Sequence, residues 1–197
     1  MSNDLSDRLF ATGTAALQDR EQRRREVARD IAAASYQRRQ VTWASGRVDG
    51  YYIDKYLFET KPTILRRTAS LLAELVPPGT DRLAGAQLGG VPVVVALSLE
   101  TGLPYVLLRR DAAPGRPTVE GEVHQGESVL LIEDVLRSGQ HALDSVAALR
   151  AGGVEVERVA AVLDLGSGAA SALAAAGVEL SALLTADDLD LPVPLRA

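Results

Sequence analysis

The segment that most constrains this 197-residue chain is SVLLIEDVLRSGQH, residues 128–141. Its first half is almost unbroken in apolar residues, whereas a strand with one wet face alternates apolar and polar side chains. Such a strand is buried on both sides, so the fold needs helices above and below a sheet. The run ends in two acids, Glu133 and Asp134. A short loop with Gly139 then leads into HALDSVAALRAGG, a helix stopped by glycine.

The same alternation repeats around it. Residues 83–86 read as a strand and Leu88-Gly89-Gly90 as a tight loop. VPVVVALSLETG is a helix, Pro92 suiting a first turn and Gly102 a C-terminal cap. A strand follows at 105–109, then a polar stretch rich in glycine and proline at 111–127, read as a mobile loop with room for a hairpin. VERVAAVLDL is a strand, GAASALAAAG a short helix and ELSALLT a last strand. The pattern predicts an α/β fold with a central, mostly parallel sheet flanked by helices on both faces.

Before this core the chain is more charged. Residues 15–40 read as an amphipathic helix, with Leu17, Val27, Ile31 and Ala34 inward and Asp19/Arg23 and Glu21/Arg25 as i,i+4 pairs. Residues 19–30 hold five arginines and four acids, so the Arg23-Arg24-Arg25 run reads as a solvated helix face rather than a nucleic-acid patch. Ser45-Gly46 and Asp49-Gly50 place turns between short β-prone pieces in 41–62. ILRRTASLLAELV (64–76) is a helix with Ile64, Leu65, Leu72 and Leu75 toward a core, stopped by Pro77-Pro78-Gly79.

Composition narrows the chemistry. Twenty-one basic and 26 acidic residues give a net charge of −5; residues 1–67 hold 13 basic and 9 acidic side chains, the remainder 8 and 17. That balance is too acidic for general nucleic-acid coating. With no cysteine there is no disulfide, no cysteine zinc site and no thiol nucleophile. Two histidines, His124 and His141, are too few for a histidine-based metal cluster. No apolar leader and no run of about 18 apolar residues is visible, so a soluble, cytoplasmic protein without a membrane partner is expected.

In open α/β sheets, ligands bind beyond the carboxyl ends of the strands, and Glu133 and Asp134 stand at such an end. Strand alternation sends their side chains to opposite faces. The loop 137–141 ends at a helix N-terminus, where free N–H groups and the helix dipole favour phosphate. It lacks the GxxxxGK[ST] pattern of nucleoside-triphosphatases. Carboxylates repel a phosphate, but they accept hydrogen bonds from sugar hydroxyls or help hold Mg²⁺ through water. A sugar phosphate therefore fits this pairing better than a bare nucleotide. His141 reads as a helix-start residue, Gly166-Ser167-Gly168 as a turn, and Trp43 and Tyr51-Tyr52 as either base-stacking or core groups.

VLLIEDVLRSGQHALDSVAALRAGG resembles the phosphoribosyl-pyrophosphate (PRPP) motif of type I phosphoribosyltransferases: an apolar strand, two acids, a Ser/Thr-Gly pair, then a helix. Other stretches resemble the orotate branch of that family. They are Ser45-Gly46-Arg47 with Tyr51-Tyr52-Ile53-Asp54, AGAQLGGVP at 84–92, the basic pair ending 107–110, and Val119-Glu120-Gly121. The similarity spans about residues 40–190.

The resemblance implies a type I phosphoribosyltransferase-like fold with a small N-terminal hood and a long mobile loop. One domain would cover 1–197, with 1–40 a helical extension, 41–62 the hood and 63–197 the α/β core. It implies transfer of ribose 5-phosphate from PRPP to a base, orotate in this branch, with release of pyrophosphate, as in pyrimidine nucleotide synthesis. On the same footing Asp134 and Glu133 bind the ribose hydroxyls, and Arg137, Ser138, Gly139, Gln140 and His141 cradle the 5-phosphate. Gly89 and Gly90 admit the pyrophosphate, and Tyr51 and Tyr52 flank the base. Asp134, Arg109 and Arg110 carry the catalytic roles, both arginines also contacting PRPP. The arginine pair reaches the neighbouring subunit's site, which implies a homodimer with shared active sites. Mg²⁺ is the implied cofactor, held mainly by pyrophosphate and by Glu133 and Asp134 only through water.

The sequence departs from the family pattern at several positions. The loop lysine and histidine are Ala113 and Gly115, the lysine before the Ser-Gly pair is Ala44, and the arginine that meets orotate's carboxylate is Leu165. The lysine of the basic pair is Arg110, and the phosphate loop has lost two small hydroxyls. Arg116 is near enough in sequence to stand in for the loop lysine. Two alternatives stay open on this pattern: a non-catalytic relative binding PRPP or a nucleotide, and a phosphoribosyltransferase for another base.

Overall fold

The computed structural model describes residues 3–42, 48–109 and 118–191, with side chains from residue 19 onward except at 48 and 49. Trp43, Ala44, Ser45, Gly46, Arg47, Arg110, Ala113, Gly115 and Arg116 lie outside the described residues, as does the side chain of Leu17.

In chain order the elements are α1 (Asn3–Ser35), β1 (Tyr36–Gln37), β2 (Val41–Thr42), β3 (Val48–Asp49), β4 (Tyr52–Ile53), α2 (Tyr56–Glu59) and α3 (Pro62–Ala73). The second part comprises β5 (Arg82–Ala86), α4 (Gly90–Thr101), β6 (Tyr105–Leu108), β7 (Val119–Glu120), β8 (Ser128–Leu136), α5 (Gln140–Ala151), β9 (Glu155–Asp164), α6 (Ala169–Ala175) and β10 (Glu179–Thr185). A 3₁₀ turn, Ala186–Leu189, follows.

Six strands form the main sheet in the order β10-β9-β8-β5-β6-β7, all pairs parallel except β6 with β7. β8 is central, in register with β5 at Gly85↔Ile132 and with β9 at Leu136↔Asp164. Its alternation splits the core in two. Leu130 and Ile132 join Val27, Ile31, Leu72, Val94 and Leu97 beneath α1, α3 and α4. Val129 and Leu131 join Ala142, Val146, Leu149 and Leu173 beneath α5 and α6. The apolar run thus meets helices on both faces, as its composition requires.

Two short antiparallel ribbons precede the sheet, β1 with β4 and β2 with β3. Tyr36 stacks on Tyr51 there, with ring centroids 6.3 Å apart and planes at 16°.

Several local expectations need correction. The first helix runs Asn3–Ser35, not 15–40, because Tyr36 and Gln37 leave it to pair with Ile53 and Tyr52. The third helix ends at Ala73, ahead of Pro77, its last turns giving way to hydrogen-bonded turns at Leu75 and Val76. The stretch 41–62 contains a helical turn, α2, besides its β pieces. The Arg23-Arg24-Arg25 run is solvated at Arg23 and Arg25 but less so at Arg24, and Arg23 Nη2 also donates to Glu74 Oε1 at 2.8 Å. Arg24 Nη2 pairs with Asp188 Oδ2 at 2.5 Å, and its Nε donates to the Leu183 carbonyl at 2.9 Å. These contacts tie α1 to the end of α3 and to β10 with the turn that follows it. Among the described residues no helix is long and apolar enough to cross a membrane.

Candidate active site

Strand β8 delivers Glu133 and Asp134 to the rim of the sheet still almost wholly covered, each 2% exposed. Burying two carboxylates side by side is unfavourable unless each finds compensation. Asp134 follows Leu130 and Ile132 in the alternation and so lies on the α4 side, while Glu133 follows Leu131. Asp134 Oδ1 accepts the Val135 N–H at 2.5 Å, and Oδ2 meets Lys55 Nζ at 2.5 Å.

Lys55 stands at the start of α2, and Glu59 follows four residues later, on the same face of the helical turn. Glu59 is 2% exposed. Burial first, then the negative charge and hydrogen bond of Asp134, push its pKa from 4.5 up to about 8, so it carries a proton at neutral pH. For Lys55, burial works against the ammonium, but Asp134 across the ion pair, helped by Tyr56 and Glu59, outweighs it and holds the group charged.

The loop into α4 closes on the same atoms. A Cβ at Gly89 would fall 1.6 Å from Asp134 Oδ2 and 2.8 Å from Glu59 Oε1, so no other residue fits without moving the carboxylate. Gly90, the first residue of α4, lies against β8: a Cβ there would stand 3.1 Å from the Ile132 carbonyl. Bare backbone therefore borders the acids from below.

On the other side, Gly139 caps α5 with φ +80°, and a Cβ there would press within 3.0 Å of Ala169 Cα. Glycine alone suits this left-handed, crowded position. The first N–H groups of α5 then point at the rim. Gln140 turns its side chain back to Asp144, Nε2 donating to Oδ1 at 2.9 Å, so it offers the cavity its backbone.

These elements enclose a cavity of about 390 Å³ lined by Tyr52, Ile53, Lys55 and residues 133–141. Tyr52, Glu133, Asp134, Arg137, Ser138, Gly139, Gln140 and His141, named from the sequence, thus lie together, with Gly89 touching Asp134. Tyr51 does not line the cavity; it is buried against Tyr36. Arg109 sits at the end of β6, two strands from β8, and pairs with Glu120 at 3.6 Å rather than lining the cavity. Leu165 is 5% exposed and belongs to the core. Lys55 and Glu59 were not anticipated, although their i,i+4 spacing beside Tyr52 was a readable signal. No group of three or more His, Asp or Glu able to hold a metal occurs among the described residues.

No family model matches the chain. In fold it is similar to the adenine phosphoribosyltransferase of Leishmania donovani, with a TM-score of 0.63 and 19% identity over 87% of this chain and 88% of that one. The fold is that of the type I phosphoribosyltransferases. The crystal structure of Mycobacterium tuberculosis H37Rv orotate phosphoribosyltransferase in complex with PRPP gives a TM-score of 0.74 and 31% identity over 86% of this chain and 99% of that one. The orotate phosphoribosyltransferase of Natronomonas pharaonis is 44% identical over 147 residues, 73% of this chain and 83% of that one. The chain belongs to the orotate phosphoribosyltransferase family.

Proposed function

We propose that the chain transfers ribose 5-phosphate from PRPP to orotate and releases pyrophosphate, in pyrimidine nucleotide synthesis. The observation that carries this reading is the single cavity in which the buried Glu133–Asp134 pair faces the N-terminus of α5. Carboxylates that accept hydroxyl hydrogen bonds and a helix end that receives phosphate together match a phosphorylated pentose.

In this reading Asp134 and Glu133 hold the ribose hydroxyls, and the N–H groups of 138–141, with Arg137, hold the 5-phosphate. Gly89 and Gly90 let the pyrophosphate rest on backbone, and Tyr52 borders the base. The bond from C1 to the pyrophosphate oxygen breaks, its electron pair leaving with pyrophosphate. A base nitrogen then bonds to C1, its proton passing to the departing pyrophosphate or to solvent. The oxocarbenium-like centre between these events is oriented by the fixed carboxylates, whose charge opposes its own.

The donor set fits Mg²⁺ carried in by substrate. Two carboxylates without a third ligand cannot cage the ion, whereas Mg²⁺ keeps several waters and takes phosphate oxygens readily. Glu133 and Asp134 would meet it through water, and the ion would supply charge neutralisation to the leaving pyrophosphate. Arg109, which pairs with Glu120 and does not line its own cavity, supports a homodimer in which Arg109 and Arg110 serve the neighbouring site.

Incubation with PRPP, Mg²⁺ and a panel of bases, followed by pyrophosphate assay, tests the proposal. Release with orotate is the expected result. Release only with another base moves the assignment to that base, and PRPP binding without release for any base contradicts catalysis.

A further inference from the structure

We infer that Lys55 is a substrate-binding residue that changes partners: it neutralises Asp134 in the free protein and turns to the pyrophosphate once ribose hydroxyls occupy that carboxylate. This rests on the reading above and adds a role to a residue outside those that the family resemblance assigns.

Two features converge on one oxygen. Lys55 Nζ lies 2.5 Å from Asp134 Oδ2, and the position of a Gly89 Cβ lies 1.6 Å from the same atom. The ammonium, which lines the cavity, and the glycine backbone against which pyrophosphate would rest therefore meet at the same carboxylate oxygen. Asp134 holds its negative charge at that corner, with the protonated Glu59 beside it, so an incoming pyrophosphate meets like charge there. Bringing a polyanion there requires a cation within reach. The positions where the family pattern has a lysine before the Ser-Gly pair and in the loop are Ala44 and Ala113. Lys55 supplies that charge from a different element.

The side chain is built for exchange. It is 25% exposed, against 3% for its partner. A lysine ammonium rides on a flexible four-carbon stem and donates in three directions, whereas a guanidinium prefers one fixed fork. Asp134, by contrast, is held by Val135 N–H through Oδ1 and cannot follow. When ribose hydroxyls donate to Asp134, the ammonium loses its partner on one side and finds pyrophosphate on the other.

Calorimetric titration of inorganic pyrophosphate with Mg²⁺, and separately of ribose 5-phosphate, into wild-type, Lys55→Met and Lys55→Arg protein tests the inference. Lys55→Met is expected to weaken pyrophosphate at least about tenfold, the size of one charge-assisted contact. Ribose 5-phosphate binding should stay within about twofold in the same variant, which also shows that the site is folded. Lys55→Arg should recover most of the pyrophosphate affinity, because it keeps the charge. Unchanged pyrophosphate affinity in Lys55→Met overturns the inference, as does equal loss of both ligands without recovery in Lys55→Arg. Wild-type protein that binds neither ligand instead defeats the underlying reading of the site.

Discussion

At the start of β5, Arg82 is 8% exposed and its Nε and Nη2 donate to the two oxygens of Glu127, each at 2.8 Å. Glu127 Oε2 also accepts the His124 N–H at 3.0 Å. The Arg82 hydrogen bond outweighs burial and lowers the Glu127 pKa to about 2. At the opposite end of the strands, Asp134 and Glu59 share a buried corner with Lys55, and Glu59 is pushed up to about 8. One cluster matches its charges bond for bond; the other holds more acid than base. Burial of charge alone does not mark a working site in this molecule, whereas two carboxyl groups crowded on one ammonium do, because that arrangement shifts their proton affinities and keeps acceptor oxygens for a ligand's hydroxyls.

The contrast breaks most visibly at Gly89. Gly89→Ala must displace Asp134 or α4, and pyrophosphate release should fall by more than about hundredfold, as small misplacements at a reacting centre do. Near-normal turnover would mean that the corner is not tightly built. At the other end, Arg82→Met leaves Glu127 half-buried without its partner and should lower the unfolding free energy in urea by about 3 kcal/mol. PRPP affinity of the folded variant should be unchanged; a large loss there would erase the distinction between the clusters.

Stability against pH sharpens it further, because the two acids act with opposite sign. Glu127, lowered from 4.5 to about 2, contributes stability that is present above pH 4.5 and lost as pH falls toward 2. Glu59, raised from 4.5 to about 8, contributes stability that is present below pH 4.5 and lost as pH rises through 8. Urea midpoints measured across pH should therefore lose a downward slope between 4.5 and 8 in Glu59→Gln, with the acid limb kept. The smallest effect belongs to an exposed pair, Arg158 with Glu179 at 3.3 Å: Arg158→Ala should change stability by no more than about 0.5 kcal/mol.

Much of this was legible in the residues. The apolar run ending at Glu133 and Asp134 dictated a strand buried on both faces, and β8 is central with helices on both sides. Gly102 and Gly139 stand where positive φ was needed at a helix boundary. Less legible was whatever depends on contacts distant in sequence. The partner of Arg24 is Asp188, 164 positions away, so its local acids gave no hint of a tether. Lys55 caps and Glu59 ends a four-residue helical turn; their i,i+4 spacing is readable in the sequence, but only the fold brings them to Asp134. Tyr51 and Tyr52 are adjacent, yet the pairing of β1 with β4 turns one toward Tyr36 and the other toward the cavity.

Titration of PRPP with Mg²⁺ into wild-type and Asp134→Asn protein measures the ribose–carboxylate assignment most directly. The variant should melt cooperatively yet bind PRPP about tenfold to hundredfold more weakly, the range for losing a charged hydrogen-bond acceptor. A dissociation constant equal to that of the wild type would contradict the placement of the sugar at the end of β8.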